Sequence, residues 1–449
     1  MIAKDKKNKV LFFVGIGGVS MSALAGLAMR EGCAVFGSDI TRNQFCAELE
    51  KLGVRIFYGH SKNNLKVNPD MVIYSAAIKE DNIELKTARE SGILTIARSR
   101  FLGEISKNYQ KVIAVSGMHG KTTTTAMIAA ILMKFDTPTV HIGGDFGALG
   151  GNLKIGDKQY FVTEACEYAD SFLALYPTHA VITNIEKEHM DYFRSLSHIK
   201  KSFSTFANKA GVCYINHKYS DLIISGNKKT FGIDCGDLMA RNVKQNQGRY
   251  SFGVFKGNQN LGQIHLRCAG RYNVLNALAA SFVCLDLGVP MSIISKALFE
   301  FENVKRRFEK VGEAVGNIII HDYAHHPTEI KNAIKTTKET YNLPIICVFQ
   351  PHTYSRTKTL FKSFLKCFDE VQDLYIIDTY SAREQYDYEG SAEKLCLSLK
   401  RTVNCYKIYG PFIMDKFDSK KILKKYSGCV VLFLGAGDIE TLAHEAADK

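Results

Sequence analysis

Short apolar runs recur along the chain, separated by longer stretches in which small and apolar residues return at helical spacing. Val10 to Val14 reads as a buried strand, Gly15 to Gly18 as a tight turn, Ser20 to Arg30 as a helix, and Ala34 to Gly37 as a second strand leading into Ser38 and Asp39. That strand, glycine turn, helix, strand, acid series is of the mononucleotide-binding sort. Alternation continues through Met71 to Ser75 and Leu94 to Ile96, and Phe101 to Lys107 followed by polar Asn108-Tyr109-Gln110 marks a boundary. A second block carries strands at Tyr160 to Thr163 and Ala180 to Thr183, and a buried helix from Gly270 to Leu287. A third has strand-like runs at Asn317 to Ile320, Ile345 to Phe349, Leu374 to Ile377 and Val430 to Leu434. Strands alternating with helices throughout predict parallel sheets covered on both faces, in an α/β fold of three domains spanning 1–107, 108–308 and 309–449.

Length supports this division, because 449 residues exceed what one core normally holds. The formal charge of +13 admits nucleic acid, a membrane surface or a polyanionic small molecule as partner. Its lysines are mostly dispersed, and the clusters Lys4, Lys6, Lys7, Lys9 and Lys416, Lys420, Lys421, Lys424, Lys425 lack aromatics interleaved at a repeating interval, which favours solvated faces over a nucleic-acid site. The 12 cysteines show no CxxC pair and no zinc spacing, a pattern of free thiols in a reducing compartment. The lysine-rich start followed by Val10 to Met29 imitates a secretory signal, but Gly15, Gly17 and Gly18 interrupt it and predict a folded strand and helix instead. With no other stretch long enough to span a bilayer, a cytoplasmic protein without a membrane partner is expected.

The most telling local chemistry is Ser-Gly-Met-His-Gly-Lys-Thr-Thr at 116–123, between the apolar run Lys111 to Val115 and the helix-forming run Thr123 to Phe135. A strand turning through Gly117 and Gly120 into a helix aims backbone N–H groups at one point, Lys121 adds a full charge, and Thr122 stands where such loops place a hydroxyl on Mg²⁺. An ATP site also needs acids at the carboxyl ends of neighbouring strands. Glu164 follows one such strand, and the cluster Glu186-Lys187-Glu188-His189-Met190-Asp191 follows another. Two donor-rich segments, His321 to Glu329 and Phe349 to Thr357, follow strands of the third block. The pair His325-His326 invites zinc, yet neighbours on an extended chain point oppositely and no third spaced ligand accompanies them.

Seven motifs in order carry a resemblance: Gly117-Met-His119-Gly120-Lys121-Thr122-Thr123, Glu164-Ala-Cys-Glu167, Thr183-Asn-Ile-Glu-Lys-Glu-His189, Gly270-Arg-Tyr-Asn273-Val-Leu-Asn276, Arg306-Arg307-Phe308-Glu309, Asp322-Tyr-Ala-His-His-Pro-Thr-Glu329 and Phe349-Gln-Pro-His-Thr-Tyr-Ser-Arg356. Together they resemble the Mur ligases. The resemblance implies a Rossmann-like N-terminal domain for a UDP-sugar, a central P-loop ATPase domain with a mostly parallel sheet, and a Rossmann-like C-terminal domain for the amino acid. It implies ATP-dependent joining of L-alanine to the lactyl carboxylate of UDP-N-acetylmuramate through an acyl phosphate, with Mg²⁺; the alternative within the family is murein-tripeptide recycling. By motif match, Gly117, His119, Gly120, Lys121, Thr122 and Thr123 would cradle ATP, with Lys121 on the β- and γ-phosphates. Thr122, Glu164 and His189 would ligate Mg²⁺, Asn273 and Asn276 would read adenine, and Asp322 and His325 would lie near the ribose. Arg307 would meet the phosphates, Gly15, Gly17, Gly18 and Asp39 the UDP-sugar, and Tyr323 and Arg356 the amino acid. Thr353 stands where an arginine often occurs in the family, which shifts carboxylate recognition toward Arg356. A nicotinamide dehydrogenase fits poorly, since the first turn lacks the third glycine of GxGxxG. A monomer or homodimer without nucleic acid is expected.

Overall fold

The computed structural model describes residues 9–190, 192–399, 404–406 and 418–447; Lys4, Lys6, Lys7, Asp191 and Lys416 lie outside them. The chain divides into two compact units, one built from the chain up to Glu186 with Ser197–Thr230 and Ala279–Val289, the other from Lys187–Leu196, Phe231–Leu278 and the chain from Pro290 on. The first unit opens with five strands in the order Arg55–Tyr58, Ala34–Asp39, Val10–Val14, Met71–Tyr74, Leu94–Ala97, all parallel. Phe12, Val14 and Val72 on one face of this sheet pack with Leu85 and Ala88 of the helix Ile83–Glu90. The turn after Val10–Val14 needs glycine at position 17. A Cβ there would lie 2.7 Å from Cys46 Sγ and 2.9 Å from Asn43 Nδ2. Val19–Arg30 follows as a helix, so the apolar N-terminal stretch is folded structure, as its glycines imply.

The same unit continues with strands in the order Val212–Asn216, His179–Ile182, Lys111–Ser116, Tyr160–Glu164, Thr139–Phe146, Gly151–Lys154. All these pairings are parallel except the last. The helix Lys121–Leu132 is buried on nearly every side, from Thr122 through Ala129, which is why its sequence shows little amphipathic contrast.

The alternation of strand and helix expected throughout gives way in the second unit. Leu238–Asn246, Arg249–Lys256 and Gln259–Ala269 form an antiparallel meander. Tyr250, Phe252 and Val254 are buried while Arg249 is exposed and Ser251, Gly253 and Phe255 are only partly covered, the two-residue period of a sheet with one wet face. The C-terminal sheet runs Glu309–Ala314, Asn317–Asp322, Val430–Leu434, Ile345–Phe349, Asp373–Ile377, Asn404–Tyr406, parallel apart from its first strand. Ile320, Cys347, Phe349, Ile376 and Leu432 line one face, and Ile319, Ile346, Val348, Tyr375 and Phe433 the other. Two apolar faces explain why these strands read as unbroken hydrophobic runs.

Several acids expected just beyond strands are their last paired residues: Asp39 opposes Tyr58, Glu164 opposes Val115 and Asp322 opposes Leu434. Ten described cysteines are free thiols, whereas Cys396 is disulfide-bonded, a pairing that spacing along the chain does not reveal. Among the described residues no helix is long and apolar enough to cross a membrane.

Candidate active site

In the first unit the strand Lys111–Ser116 turns into the helix Lys121–Leu132 through two glycines in left-handed conformations, Gly117 at φ +133° and Gly120 at φ +80°. A Cβ on Gly117 would fall 2.1 Å from Thr183 Oγ1. That contact is functional in shape, because residues after the strand His179–Ile182 hold the loop. Thr183 Oγ1 donates to His119 O (2.7 Å) and lies 3.2 Å from Ser116 O, while Asn184 accepts from His119 N (2.9 Å) and donates to His119 O (2.7 Å). The first helical bond runs from Thr124 N to Gly120 O at 2.9 Å. The amides of Lys121, Thr122 and Thr123 therefore precede the ladder and form an anion-receptive helix start.

Lys121 Nζ donates to Gly117 O (2.6 Å) and Met118 O (3.2 Å) and pairs with Glu167 at 3.0 Å. Glu167 is 1% exposed, and the sequence reading gave it no role. His119 Nε2 stands 3.5 Å from Glu186, which also accepts from Tyr219 Oη at 3.3 Å. Thr122 and Thr123 are buried, and the Thr122 hydroxyl has no protein partner among the described residues. Glu164 accepts from Gly143 N at 2.6 Å through one carboxylate oxygen. At the first sheet, Gly15 N and Ile16 N donate to Ser38 O (2.8 and 3.0 Å), and Gly18 caps the following helix. Asp39 accepts from Gly17 N (2.8 Å) and Thr41 N (3.3 Å), so its carboxylate braces the glycine turn.

In the second unit, Asn273 donates to Ala269 O (2.7 Å) and accepts from Asn276 Nδ2 (3.0 Å), so Asn273 fixes Asn276. Arg306 and Arg307 stand over the Tyr323 ring at 4.8 and 5.0 Å. Asp322 accepts from Phe308 N and Ala324 N, both at 2.7 Å, clamping the segment that carries Arg307. Burial raises its pKa to about 6 against the opposing pull of Arg307. His326 accepts from Thr328 N at 3.3 Å and caps the helix Pro327–Tyr341 in a capping box with Glu329. His325 Nδ1 lies 2.9 Å from Tyr323 O, and burial lowers its pKa to about 4.

Arg356 donates to His352 O (2.6 Å) and His352 Nδ1 (3.0 Å) and lies 3.5 Å from Glu188. Arginine only donates, so His352 Nδ1 is the acceptor and its proton resides on Nε2. Both partners of the Arg356–Glu188 pair are largely buried, at 15% and 5% exposure. Thr353 and Ser355 both bond Glu384, Thr353 at 2.6 Å, so the position that lacks an arginine holds a helix-capping carboxylate. His189 is half-buried with φ +54°, and its carbonyl accepts from Tyr192 N and Phe193 N.

Family models extend over the regions that carry these groups. The Mur ligase middle domain matches residues 115–284, the Mur ligase family catalytic domain 11–110, and the Mur ligase glutamate ligase domain 306–409. The chain belongs to the Mur ligase family. It is 40% identical to UDP-N-acetylmuramate–L-alanine ligase of Clostridium kluyveri, covering 96% of each chain. Among solved structures it is similar to the UDP-N-acetylmuramate–alanine ligase of Thermotoga maritima, with TM-score 0.81, 29% identity and 98% of each chain covered. A murein peptide ligase of Psychrobacter arcticus shares the fold at TM-score 0.73 and 22% identity, again over 98% of each chain. In this Mur ligase the phosphate loop, Glu164, His189, Asn273 and Asn276 fall within the middle-domain match; Arg307, Asp322, Tyr323, His325 and Arg356 fall within the C-terminal one.

Proposed function

We infer that the chain is an ATP-dependent ligase joining L-alanine to the lactyl carboxylate of UDP-N-acetylmuramate in peptidoglycan precursor synthesis. The observation that carries this reading is 40% identity, over 96% of both chains, to a relative named for that reaction. The carboxylate attacks the γ-phosphorus of ATP and ADP leaves; the alanine amine then attacks the acyl carbon of the resulting acyl phosphate, inorganic phosphate departs, and the nitrogen loses a proton to give the amide. The first step is positioning and charge neutralisation. Lys121 would exchange Glu167 and the loop carbonyls for the β- and γ-phosphates, with Gly117, His119, Gly120, Thr122 and Thr123 shaping the cradle. Arg307 would add a second cation, Asn276 held by Asn273 would read adenine, and Asp322 and His325 would shape the ribose side.

Thr122 and Glu164 suit a hard cation, since one hydroxyl lacks a protein partner and one carboxylate keeps an oxygen beyond its bond to Gly143. With His189 they would hold Mg²⁺, which when bound neutralises phosphoryl oxygens. Gly15, Gly17, Gly18 and Asp39 would receive the UDP-sugar, and Tyr323 and Arg356 the amino acid. The enzyme so read is cytoplasmic, a monomer or homodimer, and without nucleic-acid or membrane partners. ADP release measured with UDP-N-acetylmuramate should require L-alanine for amide formation. Faster turnover with a murein tripeptide than with L-alanine would overturn the reading in favour of recycling.

A further inference from the structure

A cavity of about 160 Å³ lies wholly in the first unit, lined by Ser20, Arg98, Leu102, His141, Glu164 and Phe172 among others. It admits a group of a few non-hydrogen atoms and is too small for a nucleotide. A relay of polar side chains crosses its wall. Arg98 Nη1 donates to Ser20 Oγ at 2.9 Å, Ser20 Oγ lies 3.0 Å from His141 Nε2, and His141 Nδ1 lies 2.9 Å from Thr163 Oγ1. Thr163 Oγ1 in turn donates to the carbonyl of Glu164 at 3.1 Å.

The direction of every proton in this relay follows from its ends. Thr163 has spent its hydrogen on a carbonyl, so His141 Nδ1–H donates to it. His141 Nε2 is then the lone-pair end of a neutral imidazole and accepts from Ser20, whose own oxygen accepts from Arg98. Burial, helped by Arg98, lowers the His141 pKa to about 3, in keeping with a neutral ring. Arg98 thus spends one N–H on the relay. Among the described residues its guanidinium forms no ion pair, and the Glu164 carboxylate on the same cavity acts on it only through space, although the side chain is half-buried.

A guanidinium oriented by a relay, unpaired, and facing a small cavity with apolar walls at Leu102 and Phe172 suits a carboxylate carried on a short carbon branch. Glu164, the candidate Mg²⁺ ligand, lines the same cavity. We propose that Arg98 is a substrate-contacting residue whose guanidinium holds the lactyl carboxylate of the acid substrate beside Glu164. The proposal rests on the function inferred above. It separates the two carboxylates of the reaction, the lactyl one at Arg98 and the α-carboxylate of L-alanine at Arg356.

The test compares parent, Arg98→Ala and Arg98→Lys enzyme, using UDP-N-acetylmuramate and its lactyl carboxamide as probes. The parent should bind the acid at least tenfold more tightly than the amide by calorimetry, and Arg98→Ala should abolish that preference. KM for UDP-N-acetylmuramate should rise 10- to 100-fold in Arg98→Lys, which keeps the charge and loses the fork, while KM for ATP and L-alanine stays within twofold. If Arg98→Ala does not fold, the Arg98→Lys constants decide. An acid-over-amide preference retained in Arg98→Ala, an unchanged KM for the sugar acid in Arg98→Lys, or a rise confined to L-alanine overturns the assignment. A parent that fails to ligate L-alanine at all refutes the inferred function instead, so the two failures are distinct.

Discussion

Replacing Lys121 tests the phosphate loop and the buried carboxylate behind it together. The ammonium lies 3.0 Å from Glu167, with the partners 18% and 1% exposed. Removing one member of a buried pair costs about 3–5 kcal/mol, because the remaining charge loses its counter-ion in a poorly solvated place. Partial exposure of the lysine places Lys121→Ala near the low end, about 3 kcal/mol. At a urea dependence of about 3 kcal/mol per molar, the midpoint of the first unit's transition should fall by roughly 1 M. Adding Glu167→Gln to Lys121→Ala removes the stranded charge and should restore most of that loss. Ligation should not return, because the γ-phosphate still lacks its cation. Both variants are expected at about 10²- to 10³-fold below the parent rate, a barrier change of about 3–4 kcal/mol. Urea unfolding followed by circular dichroism, alongside ADP release, reads the two effects separately. A Lys121→Ala midpoint within roughly 0.2 M of the parent would refute the pairing argument, and a double variant ligating within about tenfold of the parent would refute the role of the lysine.

Three other substitutions probe separate parts of the machinery. Gly117→Ala places a Cβ 2.1 Å from Thr183 Oγ1 at φ +133°, and strain of about 1–3 kcal/mol with loss of the Thr183 clamp should raise KM for ATP by roughly 100-fold; an unchanged value would mean that the loop accommodates a side chain. Arg356→Lys should raise KM for L-alanine while sparing ATP, because lysine lacks the bidentate fork, and equal KM values in variant and parent would send the amino-acid site elsewhere. Asp322 has its pKa raised from 3.8 to about 6 by burial, so the folded state binds this proton more tightly than the unfolded one. Its contribution to stability is complete below pH 3.8 and is lost as pH rises through 6, about 3 kcal/mol in all. The stability of the parent relative to Asp322→Asn should therefore fall between pH 4 and 7, and a flat difference would show that Asp322 titrates normally.

Elements buried on both faces were legible from sequence. Val10–Val14, Ile345–Phe349 and Val430–Leu434 occupy the same bounds in the fold as in the hydrophobic pattern, because a strand with two apolar faces is a continuous apolar run. The phosphate loop was legible for a related reason: glycines with positive φ, a lysine and a helix start are all local. The antiparallel meander was written in the two-residue alternation of Arg249–Lys256 but yielded to the expectation of helices between strands. What tertiary structure alone decided are the partners of the site residues. Glu167 reaches Lys121 from 46 residues away, Glu188 reaches Arg356 from 168, and Ser20 meets His141 across 121. Each contact depends on which strands are neighbours in a sheet and on where their ends emerge. No spacing along the chain encodes that proximity, since the free energy holding such pairs together is gained only once the intervening chain has packed.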